Sequence, residues 1–402
     1  MTSVGKIRET YEKGKGIVRL LPVFIPRNFS TPGKRLKLHP DDYYALGMER
    51  GAIKERWFSS VTPANNGQLA PADEGMSYVS LSGDGNERVL LRDFIAELGE
   101  EMIGSDLKKE YGTFPMYAKF FDYNDPLFHH MHLTQESAER VGTNGKPEAY
   151  YFPPQLNNHL GTFPHTYFGF DPSVTKAEVR KRILQFRNCD NRITELSRAY
   201  RIELGTGWYT PPGVVHAPGS VLTYEPQWNA DCNVVYENVT SGEINSYDSL
   251  TEFCPTDKKN DIDYIMDLMD WEENVLLDYR GKYFRSPIIA GEAKDIYMDK
   301  WVAYANPYIC AKELTVKPGQ TAVIRDPACY GCIFVQGYGK FGVYDCESPV
   351  MIRFGQMTAD EFFVSEKAAR EGVRVTNLSA YDDLVMLRHF GPNNPESPKQ
   401  LN

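Results

Sequence analysis

Residues 126–133 read Pro-Leu-Phe-His-His-Met-His-Leu, and the reading of this octapeptide decides the rest of the chain. On a β-strand, successive side chains point to opposite faces. Phe128, His130 and His132 then share one face, and Leu127, His129, Met131 and Leu133 share the other. Two imidazoles two residues apart on one strand can reach a single metal ion. Glu148 follows in Gly-Lys-Pro-Glu-Ala-Tyr-Tyr-Phe (145–152), whose aromatic run reads as a further strand. Residues 211–216, Pro-Pro-Gly-Val-Val-His, place Pro211, Gly213 and His216 in the pattern P-x-G-x-x-H: a turn, then a strand whose imidazole points inward. H-x-H alone is a weak signal in a chain with 8 His. Joined to a spaced carboxylate and a third imidazole, it gives His130, His132, Glu148 and His216 as ligands of one divalent ion. Zn or Mn is the first expectation, with Fe, Co and Ni compatible. Four protein ligands leave one or two positions open, the pattern of a catalytic site. His129 falls on the wrong face and is expected to pack or to support the ligands. His159 and His165 read as loop or surface residues, and His39 and His389 as structural.

Composition bounds what such a site can serve. The chain has 402 residues, enough for two domains. A net charge of −10, with no basic cluster, argues against a nucleic-acid partner. No run of about 18 apolar residues is present, so no membrane-spanning helix is expected. The first sixteen residues lack the apolar core of a signal peptide. The 7 Cys are odd in number and scattered, which suits free thiols in a reducing cytoplasm. With 25 Tyr, 21 Phe, 32 Gly and 26 Pro, the chain has the mixture that many short strands and frequent turns produce.

The expected organisation is mainly β with helical insertions. Residues 17–30 read as an extended strand with a proline break. Leu91, Phe94, Ile95, Leu98, Met102 and Ile103 predict a helix over 91–103, ended by Gly104. Thr175-x-x-Glu178 is a capping box that opens a helix through Val179, Ile183 and Phe186. Residues 1–240 form an N-terminal metal-binding domain with a helical insertion at about 171–200. Residues 241–300, with a helix over 260–279, connect to a second strand-rich block at 301–402.

These motifs resemble the type I mannose-6-phosphate isomerase family of the cupin superfamily. The resemblance runs in order through 17–240 and more loosely through 301–392. GAIKERWFSS (51–60) is similar to that family's G-E-x-W-x-x-S block. FPMYAKFFDYNDPLFHHMH (114–132) is similar to its F-P-x-L-x-K-x-L and P-L-S-x-Q-x-H segment. GKPEAYYF (145–152) is similar to K-x-E-x-W-Y, and TYFGFDPSVTKAEVRKRI (166–183) to a G-F pair with a following helix. WYTPPGVVHAPGSVLTYEPQWNAD (208–231) is similar to P-x-G-x-x-H-A-x-G followed by L-E-x-Q-x-x-S-D. The resemblance implies two cupin barrels, the double-stranded β-helix or jelly-roll, of which the C-terminal one binds no metal. Cys329-x-x-Cys332 has no second pair to make a zinc site with it. The family's Gln ligand falls on His130, its His on His132, its Glu on Glu148 and its second His on His216. Its pocket lysines fall on Lys119 and Lys146, its pocket Glu on Glu225 and its Asp on Asp231. Two positions depart. Phe128 stands where the family has Ser, and Val234, Val235 and Tyr236 occupy the stretch where it has Arg. Losing a guanidinium's two-pronged grip on phosphate points to an unphosphorylated sugar.

The function so implied is metal-dependent aldose–ketose isomerisation of a small carbohydrate, in the cytoplasm, by a monomer or homodimer. Val221, Thr223, Glu225 and Gln227 share one strand face, which makes Glu225 the expected base for a proton moved between C1 and C2. Lys146 is the expected shuttle or oxyanion partner, its pKa lowered by burial, with Lys119 in support. Tyr150, Asp231 and Trp228 are the expected substrate contacts, with Tyr167 a further stacking candidate. Two other readings of the same ligands stand: an oxygenase or decarboxylase of the three-His-one-Glu cupin type, and a non-catalytic sugar-binding cupin.

Overall fold

The computed structural model describes residues 3–160 and 163–401. Its logic is visible in one strand, Met116–Phe121, which is buried along its whole length. Met116, Ala118 and Phe120 pack on one side into a core shared with Ile333, Phe363 and Leu387 of the C-terminal half. Lys119 and Phe121 face the other way, into a chamber lined by His130 and Glu148. A strand covered on both faces belongs to an inner layer, and the sheets stack accordingly.

The outermost layer of the first half is a five-stranded sheet ordered Ser197–Arg201, His165–Phe170, His216–Ala217, His130–Met131 and Val234–Val235. It faces a seven-stranded sheet in which Gly207–Thr210, Glu148–Tyr151, Thr223–Trp228, Met116–Phe121 and Ala52–Phe58 are neighbours, with Phe284–Arg285 and Val23–Arg27 at its edges. Phe121 and Tyr150 from this sheet meet Phe168 and Val235 from the first, which fills the space between them. A second seven-stranded sheet, centred on Tyr330–Gln336 and Leu384–Phe390, lies on the far side of the first. A four-stranded sheet, with Val373–Asn377 at its middle, closes the second half over Phe334, Phe341 and Phe362. The pairings within these four sheets are antiparallel.

Polar bonds cross the central interface. The Arg56 guanidinium donates to both Asp360 oxygens at 2.8 Å and to Glu361 at 3.3 Å, all deeply buried. The Tyr151 hydroxyl donates to Glu313 at 2.7 Å, and that of Tyr224 shares a hydrogen bond with His389 Nδ1 at 2.9 Å. Buried charges of this kind lose several kcal/mol when one partner is removed, roughly 3–5 by precedent, so they fix how the two halves meet. Gly331 belongs to the same seam: a Cβ there would collide with Ser59 and His389.

Several sequence expectations shift. The helix expected over 91–103 is two helices, Leu91–Leu98 and Glu100–Glu110. The chain breaks at Gly99 with φ 57° and kinks again at Gly104 with φ 80°. The helix expected over 260–279 is three short ones, Ile262–Asp267, Trp271–Asn274 and Tyr279–Tyr283, two of them opened by Asp caps at 261 and 270 and the third by Asp278. The capping box at Thr175 and Glu178 forms and opens Lys176–Leu184. Domain limits are less tidy than 240 and 301. Ile17–Arg19 pairs with Glu361–Val364 of the second half, and Ile288–Ala293 already belongs to the second half's sheet. All seven cysteines are free, and only Cys189 is exposed. Inside the second half, Lys312 and Arg388 meet Asp299 and Asp326 in a buried four-charge network.

Burial holds the His389 imidazole neutral, pulling its pKa from 6.5 to about 3. The unfolded chain takes up this proton near pH 6.5 and the folded chain does not, so stability falls as pH falls through this window. Chemical denaturation of His389→Gln between pH 6 and 4 should show a shallower acid dependence than the parent, by up to about 1.4 kcal/mol per pH unit. Equal slopes would contradict the assignment.

Candidate metal centre

The ligand strands come from facing layers. His216 and His130 are direct cross-strand partners in the five-stranded sheet. Glu148 pairs with Gln227 in the seven-stranded sheet opposite, and beside it Glu225 pairs with Lys119. The P-x-G-x-x-H turn works through Gly213, whose φ of 84° suits glycine. Its amide donates to the His132 carbonyl at 2.8 Å, tying the turn to the H-x-H strand. Ligand atoms of His130, His132 and His216 lie within 4.8 Å of one another, the one such group found among the described residues.

Each ring is held in the same tautomer. Nδ1 of His130 donates to the Phe128 carbonyl at 2.9 Å, that of His132 to Cys232 at 2.8 Å and that of His216 to Val214 at 2.9 Å. A main-chain carbonyl can only accept, so the hydrogen sits on Nδ1 and Nε2 presents a lone pair. Burial, together with the neighbouring imidazoles, pushes the His130 pKa well down, and burial lowers His132 to about 4. Glu148 stands 2.9 Å from His132 Nε2 and 3.1 Å from His216 Nε2. Burial would raise its carboxyl, yet His132 and the Lys146 ammonium beside it hold it well below the usual range. Lone pairs and carboxylate oxygens at such separations repel unless a cation lies among them; the Lys146 ammonium meets His132 Nε2 at 3.2 Å and Glu148 at 3.0 Å, and leaves His216 Nε2 without a partner. Three imidazoles and a carboxylate fit a divalent ion.

Beside the ligands is a chamber of about 20 Å³, room for one ion or water on a scale where a water needs roughly 10–15 Å³. Glu225 faces it, with Lys119 at 3.2 Å and Lys146 at 3.6 Å. Lys146 also reaches Glu148 at 3.0 Å. Burial and the Glu148 charge push the Glu225 carboxyl upward. Lys146 corrects an expectation: burial would lower its pKa, but Glu148 and Glu225 raise it, so the ammonium form is held. The Tyr150 hydroxyl donates to Glu148 at 2.7 Å. Asp231 lies at the outer rim, 3.2 Å from Arg27.

Trp228 is not brought here. It falls on the far face of its strand and packs edge-on against Tyr111 and Tyr308. Tyr167 lies beside His129 and His165. His129 turns away from the ligands and bonds Glu237 at 2.8 Å. Three chamber residues escaped the sequence reading. Glu55 binds Arg27 at 2.9 and 3.1 Å, accepts from Tyr123 at 2.6 Å and from Trp57 at 2.8 Å, and faces Lys119 at 4.0 Å. The signal was a run of three charged residues, Lys54, Glu55 and Arg56, inside a strand closed by Trp57 and Phe58.

No protein-family model matches this chain, and no curated protein does. Solved structures do. A mannose 6-phosphate isomerase from Bacillus subtilis is 15% identical, with a TM-score of 0.61 over 93% of this chain and 99% of that one. A zinc-bound mannose 6-phosphate isomerase is 12% identical, with a TM-score of 0.62 over 94% and 99%. A phosphomannose isomerase from Salmonella typhimurium is 12% identical, with a TM-score of 0.60 over 94% and 100%. Along nearly its whole length the chain therefore has the fold of the mannose-6-phosphate isomerases, a cupin fold.

Proposed function

We propose that this chain is a metal-dependent aldose–ketose isomerase acting on the open-chain form of an unphosphorylated sugar. One observation carries the reading: Glu225 stands between two ammonium groups beside a converging set of three imidazole lone pairs and a carboxylate. Zinc is the favoured ion, with manganese next. Once bound, such an ion polarises the sugar's carbonyl and adjacent hydroxyl. Glu225 takes the proton from C2 and returns it to C1 through a cis-enediol, while the proton leaving the C2 hydroxyl passes to the C1 oxygen, so the isomerisation is proton-neutral. Lys146, kept as an ammonium, stabilises the negative charge that develops on oxygen. Lys119 keeps the Glu225 carboxylate aimed into the chamber, Tyr150 orients Glu148, and Asp231 is a hydroxyl acceptor at the rim.

The preference for a neutral sugar rests on the wall outside the chamber. Phe128 and Val235 line it, and Arg27 is the one lysine or arginine among its lining residues. The Arg27 guanidinium is already held by Glu55 and Asp231, so it is not free to grip phosphate. Seven free thiols support a reducing cytoplasm as the place of action. A monomer or homodimer remains the proposed assembly.

Purified protein should carry close to one divalent ion per chain. Zinc at 100-fold over its Kd should raise the unfolding free energy by about 2.7 kcal/mol. His216→Ala should lose both the ion and this gain, and retention of both would remove His216 from the ligand set. Glu225→Gln should keep its metal and lose roughly 10²- to 10⁴-fold in isomerase turnover. Parent turnover would remove Glu225 from the proton transfer. Across mannose, fructose, lyxose and ribose and their phosphates, the best free sugar should exceed its phosphate in kcat/KM by at least tenfold.

A further inference from the structure

The short helix Trp271–Asn274 lies in the stretch that joins the two halves, apart from the strands that carry the metal ligands. Its last residue is nevertheless wholly buried. A buried side-chain amide needs partners at both of its ends. The Asn274 Nδ2 donates to the Gly213 carbonyl at 2.7 Å and to the Asp270 carbonyl, one helical turn back, at 2.7 Å. Its Oδ1 accepts from the Val215 amide at 2.8 Å. A carbonyl can only accept and a main-chain amide can only donate, so the orientation of this side chain is fixed. The start of the helix adds a bond of its own, from the Asp270 amide to the Gly213 carbonyl at 3.0 Å.

These bonds bracket one residue. Gly213 and Val215 flank Val214, whose carbonyl takes the Nδ1 hydrogen of His216 at 2.9 Å. Both precede the strand His216–Ala217, and Asn274 stands in for a neighbouring strand there. Gly213 also reaches the other way, its amide donating to the His132 carbonyl at 2.8 Å. One side chain thus grips the turn that carries His216 and, through Gly213, meets the strand that carries His132.

We infer that Asn274 is a positioning residue for the metal: it holds Val214 from both sides and so sets the direction and the tautomer of the His216 ring. The inference rests on the metal-site reading and gives the joining segment a part in the chemistry. Removing the outer partners of metal-bound histidines weakens metal affinity by roughly 10- to 100-fold. The second half holds a control for the fold itself. Asn377 is as deeply buried, donates to the Val316 and Asp382 carbonyls at 2.9 and 2.8 Å, and accepts from the Ser379 amide at 2.9 Å. The bonding pattern is the same, in the half that carries none of the ligands.

The test is zinc affinity, by chelator competition, of the parent, Asn274→Ala, Asn274→Ser and Asn377→Ala, at a temperature where melting curves show each to be folded. Both Asn274 variants should bind zinc at least tenfold more weakly than the parent, and the visible bands of their cobalt(II) forms should shift. Asn377→Ala should melt at a lower temperature and keep the parent affinity within twofold. A second measurement needs no variant. By linkage, zinc must in turn stabilise the bonds that support its ligand. In the parent, zinc should slow hydrogen exchange at the Val215 amide at least tenfold more than at the Ser379 amide. Parent affinity in a folded Asn274 variant, an equal loss in Asn377→Ala, or equal slowing at the two amides would overturn the role of Asn274. A parent protein that binds neither zinc nor cobalt would overturn the metal site itself, and this inference with it.

Discussion

Three hydrogen bonds set the chemistry of this protein. Each imidazole of the site gives its Nδ1 hydrogen to a main-chain carbonyl: Phe128 for His130, Cys232 for His132 and Val214 for His216. For His130 and His216, the accepting carbonyl is two residues back on the same strand, so the backbone that places the ring also fixes its tautomer. The consequence is a set of buried Nε2 lone pairs facing the Glu148 carboxylate, with the Lys146 ammonium 3.2 Å from that of His132. Second partners that orient metal-bound histidines are a common support for such sites. Here the main chain supplies them.

The layered fold makes that convergence possible. The five-stranded sheet contributes the imidazoles and the seven-stranded sheet contributes Glu148, Glu225 and Lys119. The inner sheet is held from behind by the second half, through Arg56, Tyr151 and Tyr224. The C-terminal half thus acts as a rigid backing. Its own interior polar groups, Lys312, Arg388, Asp299 and Asp326, neutralise one another.

The convergence of His130, His132 and His216 was legible in the sequence because period-two alternation is a local property. His130 and His132 share a face wherever 126–133 is extended, and Gly213 in P-x-G-x-x-H announces its own turn. The same alternation puts Trp228 on the face opposite Glu225. Arg27, Glu55 and Tyr123 were not legible, because their meeting depends on how Val23–Arg27 and Ala52–Phe58 pair and where the chain next passes. The placement of Ile17–Arg19 against the second half is likewise a long-range pairing without local sign. Helix breaks at Gly99 and Gly104 show the converse, an apolar periodicity that continues across residues whose backbone does not. The charge of Lys146 is only partly legible: Glu148 lies two residues on in the same segment, but Glu225, the other carboxylate that outweighs burial, comes from another strand.

The most direct measurement is an anomalous-difference map from crystals of the zinc-loaded protein, collected on both sides of the zinc edge. The account requires one peak, bonded to Nε2 of His130, His132 and His216 at about 2.0–2.1 Å and to Glu148 at about 2.0–2.2 Å. A peak elsewhere, or a chamber in which these four groups hold no ion while zinc is in excess, would contradict it.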